Sequence, residues 1–231
     1  MNSDPAGFFV DQGYLRLAGF HPKTRMAAAR QKLLDQVKRL SCGQGLPRAV
    51  RGLPVFQQVG RLSGLVDAPS LHDTLVTPGL IDRVAQLAGR PPAAIQDTRL
   101  LLSPPRQGAW TLEGLNWHVD VATAPGGLLP GIQAFFLIDD VAPHGGATLA
   151  LAGSHRAGAR RPGPAPSLRA ALKSPAGLER RLRDLGITLV EMSGRAGDVF
   201  LMDMRLLHTP SINATDRLRM MATCRCFLDP R

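Results

Sequence analysis

In the stretch NWHVDVATAPGG (116–127) a histidine and an aspartate stand two residues apart. On an extended strand, residues i and i+2 share a face, with Cα atoms roughly 6.5 to 7 Å apart. His118 and Asp120 therefore project together, while Trp117 and Val119 face the other way. One imidazole and one carboxylate on a single face can hold adjacent positions around a divalent metal. A third ligand must then come from another segment. His208, near the end of the strand-like run DVFLMDMRLLHTPS (198–211), is the candidate. Two histidines with one carboxylate suit non-haem Fe(II) and leave coordination positions open for a cosubstrate and oxygen. H-x-D on its own is common, and it equally fits a histidine packed or exposed beside a turn aspartate.

Arginine sharpens that reading. Beyond His208, the turn PSINATD (210–216) is expected to pair two strands antiparallel, and Arg217 and Arg219 follow it. Iron sites of this type use 2-oxoglutarate, whose distal carboxylate needs a fixed cation. The planar fork of arginine grips a carboxylate through two bonds and stays charged. Burying such a cation unpaired costs several kcal/mol, so an inward arginine here expects an anionic ligand or a protein carboxylate. Arg217 and Arg219 share one parity, and alternation does not separate them. Gln133 and Phe135 share a face of GIQAFF (131–136). If that face is inward, Gln133 can bond a cosubstrate, or it can be a satisfied core amide.

These residues need elements to hold them. The first part of the chain, 1–97, reads as α-rich. Thr24 can cap a helix running to about Ser41, with Met26, Ala29, Leu33, Val37 and Leu40 on one face. Residues 41–60 are punctuated by Gly and Pro without a clear period. A second helix is expected from Pro78 to a C-terminal glycine at 89, with Leu80, Ile81, Val84, Leu87 and Ala88 inward. From Thr98 onward, TRLLLSP, LNWHVDV, GIQAFFLID, ATLALAG, ITLVEMS, DVFLMDM and LRMMATCRCFL read as seven short strands separated by turn residues. The pattern predicts a mainly β sandwich or barrel (98–231) with helices packed on one face, all in one domain. A basic, Pro-rich insert (157–186) ends in an expected short helix through Leu178, Leu182 and Leu185. It is either a solvated loop or a lid over the site. His155 is expected to shape a turn, His144 to sit in an exposed loop, and His21 and His72 belong to no ligand pattern.

Composition narrows the partners. The 231 residues include 44% hydrophobic and 20% charged residues, enough for a sizeable core. A net charge of +10 invites a nucleic-acid reading, but only four of the 28 basic residues are lysines. The arginines are scattered among Ala, Gly and Pro, and aromatics make up 5%, too few for a base-stacking surface. The expectation is no nucleic-acid partner, and a basic mouth that attracts an anionic substrate suits the charge better. No run of eighteen apolar residues exists, so no membrane span is expected. The start shows no signal-peptide pattern. Three cysteines, with Cys224 and Cys226 in a strand-like run, read as reduced thiols of a cytoplasmic protein.

Taken in register, WHVD (117–120), LIDDVAPHGGATLALAGSH (137–155), AGDVFLMDMRLLH (196–208) and PSINATDRLR (210–219) resemble the phytanoyl-CoA dioxygenase family, as does GYLRLAGF (13–20). The resemblance covers nearly the whole chain and is weakest over 42–70 and 157–186, and the A-G-S-H at 152–155 departs from the family's usual P-G-S-H. It implies a double-stranded β-helix (jelly-roll) core, Fe(II) held by His118, Asp120 and His208, and 2-oxoglutarate and O2 as cosubstrates. It also implies Arg219, eleven residues past the second histidine, as the grip on 2-oxoglutarate. Related halogenating enzymes carry a small residue in place of the carboxylate, so Asp120 favours oxygen chemistry. The implied activity is hydroxylation of an unactivated C–H bond of a small-molecule metabolite, with release of succinate and CO2. Desaturation, epimerisation and ring formation would use the same residues. A metal-dependent hydrolase or isomerase would keep the triad without needing Arg219, and a non-catalytic metal-binding barrel would consume no 2-oxoglutarate.

Overall fold

Local chemistry explains why the first ninety residues are helical. The computed structural model describes residues 4–41, 46–121, 127–156, 168–172 and 177–228. Helix α1 (Pro5–Gln12) is capped by the Asp4 carboxylate, which accepts from the Ala6 and Gly7 N–H groups, and it ends at Gly13 in the left-handed region (φ 76°). Strand β1 (Tyr14–Leu17) follows. Helix α2 (Lys23–Ser41) buries Met26 and Leu33 and sets Ala29 and Val37 against the same core. It begins at Lys23, so Thr24 lies in its first turn rather than at its cap, and Leu40 is left 37% exposed where the helix runs out beyond the core. The unpatterned stretch runs into α3 (Val55–Ser63), and α4 (Leu71–Leu75) comes after it. Helix α5 (Pro78–Ala88) starts on proline, buries Leu80 and Val84, and stops at Gly89 with φ 70°.

The strands then come in order: β2 (Ala94–Ile95), β3 (Arg99–Ser103), β4 (Gly131–Leu137) and β5 (Thr148–Ala152). Two short helices, α6 (Leu168–Ala171) and α7 (Leu178–Asp184), precede β6 (Thr188–Glu191), β7 (Val199–Asp203), β8 (His208–Pro210) and β9 (Arg219–Phe227). A large antiparallel sheet runs β1-β7-β4-β9, with β2 and β3 both paired to β9. A small sheet runs β6-β5-β8.

The layers follow from alternation. Ile132, Ala134 and Phe136 of β4, with Val199, Leu201, Met220, Ala222, Cys224 and Cys226, face the helices and meet Met26, Leu33, Leu62 and Leu80. The opposite face presents Phe135, Leu137, Phe200, Met202 and Met221 to Ala150 of the small sheet and to Met192 and Leu206. Strand β4 is thus covered on both sides, which is why it reads as a continuous apolar run. The outer face of the small sheet is closed by α7, where Leu178 and Leu182 pack with Ile187 on Leu151 and Trp117. Cys224 and Cys226 are free buried thiols; Cys42 lies outside the described residues.

Two expectations need correction. The stretch LNWHVDV is not a strand: it makes one isolated antiparallel bridge, His118 to His208. Each of those residues donates its N–H to the other's carbonyl (3.0 and 2.9 Å), but the next donors, Asp120 N–H and Val121 N–H, both turn to the Met204 carbonyl. One acceptor serving two donors ends the ladder after a single rung. Nor does PSINATD close a hairpin, because β8 pairs with β5 while β9 belongs to the large sheet. Polar bonds divert the chain: Ser211 bonds the Ala147 carbonyl, whereas Asn213 Nδ2 donates to the carbonyls of Ser103 and Arg217. The turn therefore carries the chain from one sheet to the other.

Candidate metal centre

The single rung between His118 and His208 sets the site. Backbone pairing at that rung brings the two rings to 4.4 Å between centroids, and the bend after Val119 brings Asp120 round beside them. One nitrogen from each histidine and one Asp120 oxygen lie within 4.8 Å of one another. His118 Nδ1 donates to the Asn116 carbonyl (2.9 Å) and His208 Nδ1 to the Leu206 carbonyl (3.0 Å). Those bonds place the ring proton on Nδ1 and leave both Nε2 lone pairs free, the arrangement metal-binding histidines require. Burial holds His208 below the ordinary imidazole range, against the opposing pull of its backbone bond and Asp120, so the ring is neutral near pH 7. His118 is exposed and His208 buried, which opens the cluster on one side.

Asp120 is the most constrained member. Its side chain is only 4% exposed. Oδ1 accepts from Arg225 Nη2, while Oδ2 is buried without a hydrogen-bond donor and lies 3.6 Å from His208 Nε2. A buried carboxylate oxygen left unpaired is expensive. Two imidazole lone pairs converging beside it form a donor set that a divalent cation satisfies, so the residues fit such an ion. Arg225 was not foreseen from sequence, although parity pointed to it: on β9, residues 219, 221, 223 and 225 share one face.

Arg219 is 3% exposed. Its Nε donates to the Gly146 carbonyl (2.8 Å) and an Nη to the Leu101 carbonyl (2.6 Å), and no carboxylate of the described residues pairs with it. Burial pushes its pKa down to about 9, the signature of a cation lacking its counter-ion. Arg217 is exposed, so depth separates the two arginines that alternation could not. Gly146 carries the orienting carbonyl with φ 76°, where an added Cβ would stand 2.8 Å from Asn213 Cβ.

A cavity of about 620 Å³ joins these groups, with His118, Asp120, His208, Arg219, Gln133 and Arg225 among its lining residues. Gln133 is 3% exposed; its Nε2 donates to Thr223 Oγ1 (2.9 Å), and its Oε1 is buried without a partner. Val59, Gly60 and Ser63 of α3 form a further wall, on a helix that the sequence did not reveal. Its signal was the spacing of Val55, Val59 and Leu62, broken by Gly60 and Gly64. The described parts of the 157–186 segment do not line the cavity; residues 157–167 and 173–176 lie outside the described residues.

The remaining histidines stand apart. His155 holds a short 3-10 turn against α1, with Nε2 at 3.1 Å from the Val10 carbonyl. His144 is exposed and stacks on Trp110, with centroids 4.3 Å apart. His21 is buried between Phe20 and Phe136, and His72 bonds Thr98.

No curated protein matches by sequence. Among solved structures, AviO1 from Streptomyces viridochromogenes Tue57 is similar over 98% of this chain and 94% of its own, at 19% identity and a TM-score of 0.63. The non-heme alpha-ketoglutarate-dependent carbocyclase SnoK from nogalamycin biosynthesis is similar over 98% and 84%, at 20% identity and 0.61. The epimerase SnoN, solved with Fe3+, alpha-ketoglutarate and nogalamycin RO, is similar over 96% and 82%, at 19% identity and 0.61. These likenesses establish the jelly-roll fold. The family model of phytanoyl-CoA dioxygenase (PhyH) matches residues 9–221, nearly the full length, and the chain belongs to that family.

Proposed function

We propose that this protein is a non-haem Fe(II)- and 2-oxoglutarate-dependent oxygenase that hydroxylates a small molecule. One observation carries the reading: an open His118–Asp120–His208 cluster shares a cavity with the buried, counter-ion-free Arg219. A hydrolase or a passive metal-binding barrel would use the cluster and leave that arginine buried at a loss.

In this reading His118 Nε2, His208 Nε2 and Asp120 Oδ2 hold the iron, and Arg219 binds the far carboxylate of 2-oxoglutarate. Bound together, iron, 2-oxoglutarate and O2 supply the oxidising chemistry, with succinate and CO2 as co-products. The chain contributes position and dryness. Arg225 keeps one Asp120 oxygen occupied, so the other is free for metal. The unpaired Gln133 Oε1 and the Thr223 hydroxyl offer polar contacts along the floor, while Phe135 and Leu101 exclude water. Epimerisation and ring formation are second outcomes for the same residues, favoured by the structural likeness to SnoN and SnoK.

Anaerobic addition of Fe(II) and 2-oxoglutarate tests the reading. A weak visible charge-transfer band and oxygen-dependent succinate release are expected. Metal binding without either would sink it.

A further inference from the structure

We propose that Arg99 is the substrate-recognition cation, so that the enzyme acts on molecules carrying an anionic group on an apolar body; this rests on the oxygenase reading above. Register places Arg99 opposite Thr223, and Thr223 opposite Phe135, in one row across β3, β9 and β4. Partners in register share a face, and Phe135 sets its ring 6.1 Å from that of His208. Arg99 therefore stands on the sheet face that carries the metal cluster, and it lines the same cavity.

Charge accounting within the cavity singles it out. Three arginines and one carboxylate of the described residues line it. Arg225 pairs with Asp120, and Arg219 is anchored to two backbone carbonyls at depth. The Arg99 side chain is exposed and has no hydrogen-bond or ion-pair partner among the described residues. It does not share the anion of Arg219. Ser103 is the residue of β3 opposite Arg219, four residues from Arg99, a separation of roughly 13 Å along the strand. Two carboxylates of 2-oxoglutarate directed to the metal and Arg219 leave Arg99 as the cation still facing the cavity.

The facing wall explains what the anion is attached to. Gly60 exposes bare backbone on α3, and a Cβ added there meets nothing within 4 Å. Val59, Leu101 and Phe135 make the surroundings apolar. The wall is tied to the strand bearing Arg99, because Ser63 Oγ accepts from Leu102 N–H (2.8 Å) and donates to the Val59 carbonyl (2.7 Å). Arg99 and α3 thus keep a fixed spacing, which selection by shape and charge requires.

Three pairs of probes test this: 2-naphthoate, 4-phenylbutyrate and deoxycholate, each against its methyl ester, by equilibrium dialysis with and without anaerobic Fe(II) and 2-oxoglutarate. At least one acid should bind about tenfold more tightly than its ester. That gap should close in Arg99→Gln, persist in Arg217→Gln, and reverse towards 2-naphthylmethylamine in Arg99→Glu. The charge-transfer band should survive in all three variants. The proposal is overturned if no acid outbinds its ester, or if discrimination survives Arg99→Gln. Weakened 2-oxoglutarate binding with discrimination unchanged would assign Arg99 to the cosubstrate and overturn it equally. Loss of the band in the unaltered protein sinks the oxygenase reading instead, while the dialysis without iron still reports on Arg99.

Discussion

Asp120 divides its two oxygens between Arg225 and His208: Oδ1 accepts from the guanidinium, and Oδ2 lies 3.6 Å from the imidazole Nε2 with no donor of its own. The first oxygen is held so that the second points inward at a fixed angle. Asp120→Asn should abolish tight Fe(II) binding, because the amide brings neither the charge nor a free acceptor in both positions. Arg225→Ala should weaken metal binding by about 10- to 100-fold, as loss of an outer-shell partner does. Titration with Co(II), followed by its visible absorption, reads both, and unchanged affinity in Arg225→Ala would remove the orienting role.

Arg219→Ala should weaken 2-oxoglutarate binding by about 2–5 kcal/mol, the range for losing one partner of a buried charge pair. Arg219→Lys should recover part of it, because a point charge replaces the two-pronged grip. Arg217→Ala should leave affinity unchanged: Arg217 is exposed and does not line the cavity that holds the metal cluster. Calorimetric titration of 2-oxoglutarate into the iron-loaded protein separates the three. An effect at Arg217 with none at Arg219 would reverse the assignment.

Asn213 is the knot of the crossing turn. It donates to the Ser103 and Arg217 carbonyls, accepts from Thr215 through its amide oxygen, and offers its N–H to Gln107. Asn213→Ala strands buried acceptors and should lower stability by about 1–3 kcal/mol. Because the same turn delivers Arg219, 2-oxoglutarate affinity should fall as well. Chemical denaturation and cosubstrate titration give the two readouts, and a stability loss with full affinity would show that Arg219 is held by β9 alone.

His21 makes folding sensitive to acid. It is 2% exposed, and burial, with the nearby Arg25 charge in support, lowers its pKa to about 4. The unfolded chain takes up a proton near pH 6.5 that the folded chain refuses until about pH 4. The folded pKa is the depressed one, so full stability is present above pH 6.5 and drains away as pH falls towards 4. Thermal melts across that window should show the decline, and His21→Leu should flatten it. An identical slope in the variant would place the acid sensitivity elsewhere.

Much of the layout was legible in residue order. Proline at the first turn and glycine past the last marked α5, and the apolar runs of β4, β7 and β9 marked buried strands, because these signals are local. Spacing offered His118, Asp120 and His208 as one candidate metal site, and the family resemblance added Arg219. Helix α3 was hidden by glycines at 60 and 64, which interrupt its apolar spacing in the sequence but open the cavity in space. Periodicity could not tell Arg217 from Arg219, since both lie on one side of an extended chain; depth beneath Gly146 and Leu101 does so physically. In the same way, Arg225 reaches Asp120 across 105 residues of chain. Composition and spacing determined which side chains could do the chemistry, and packing of the sheets decided which of them lose water and meet.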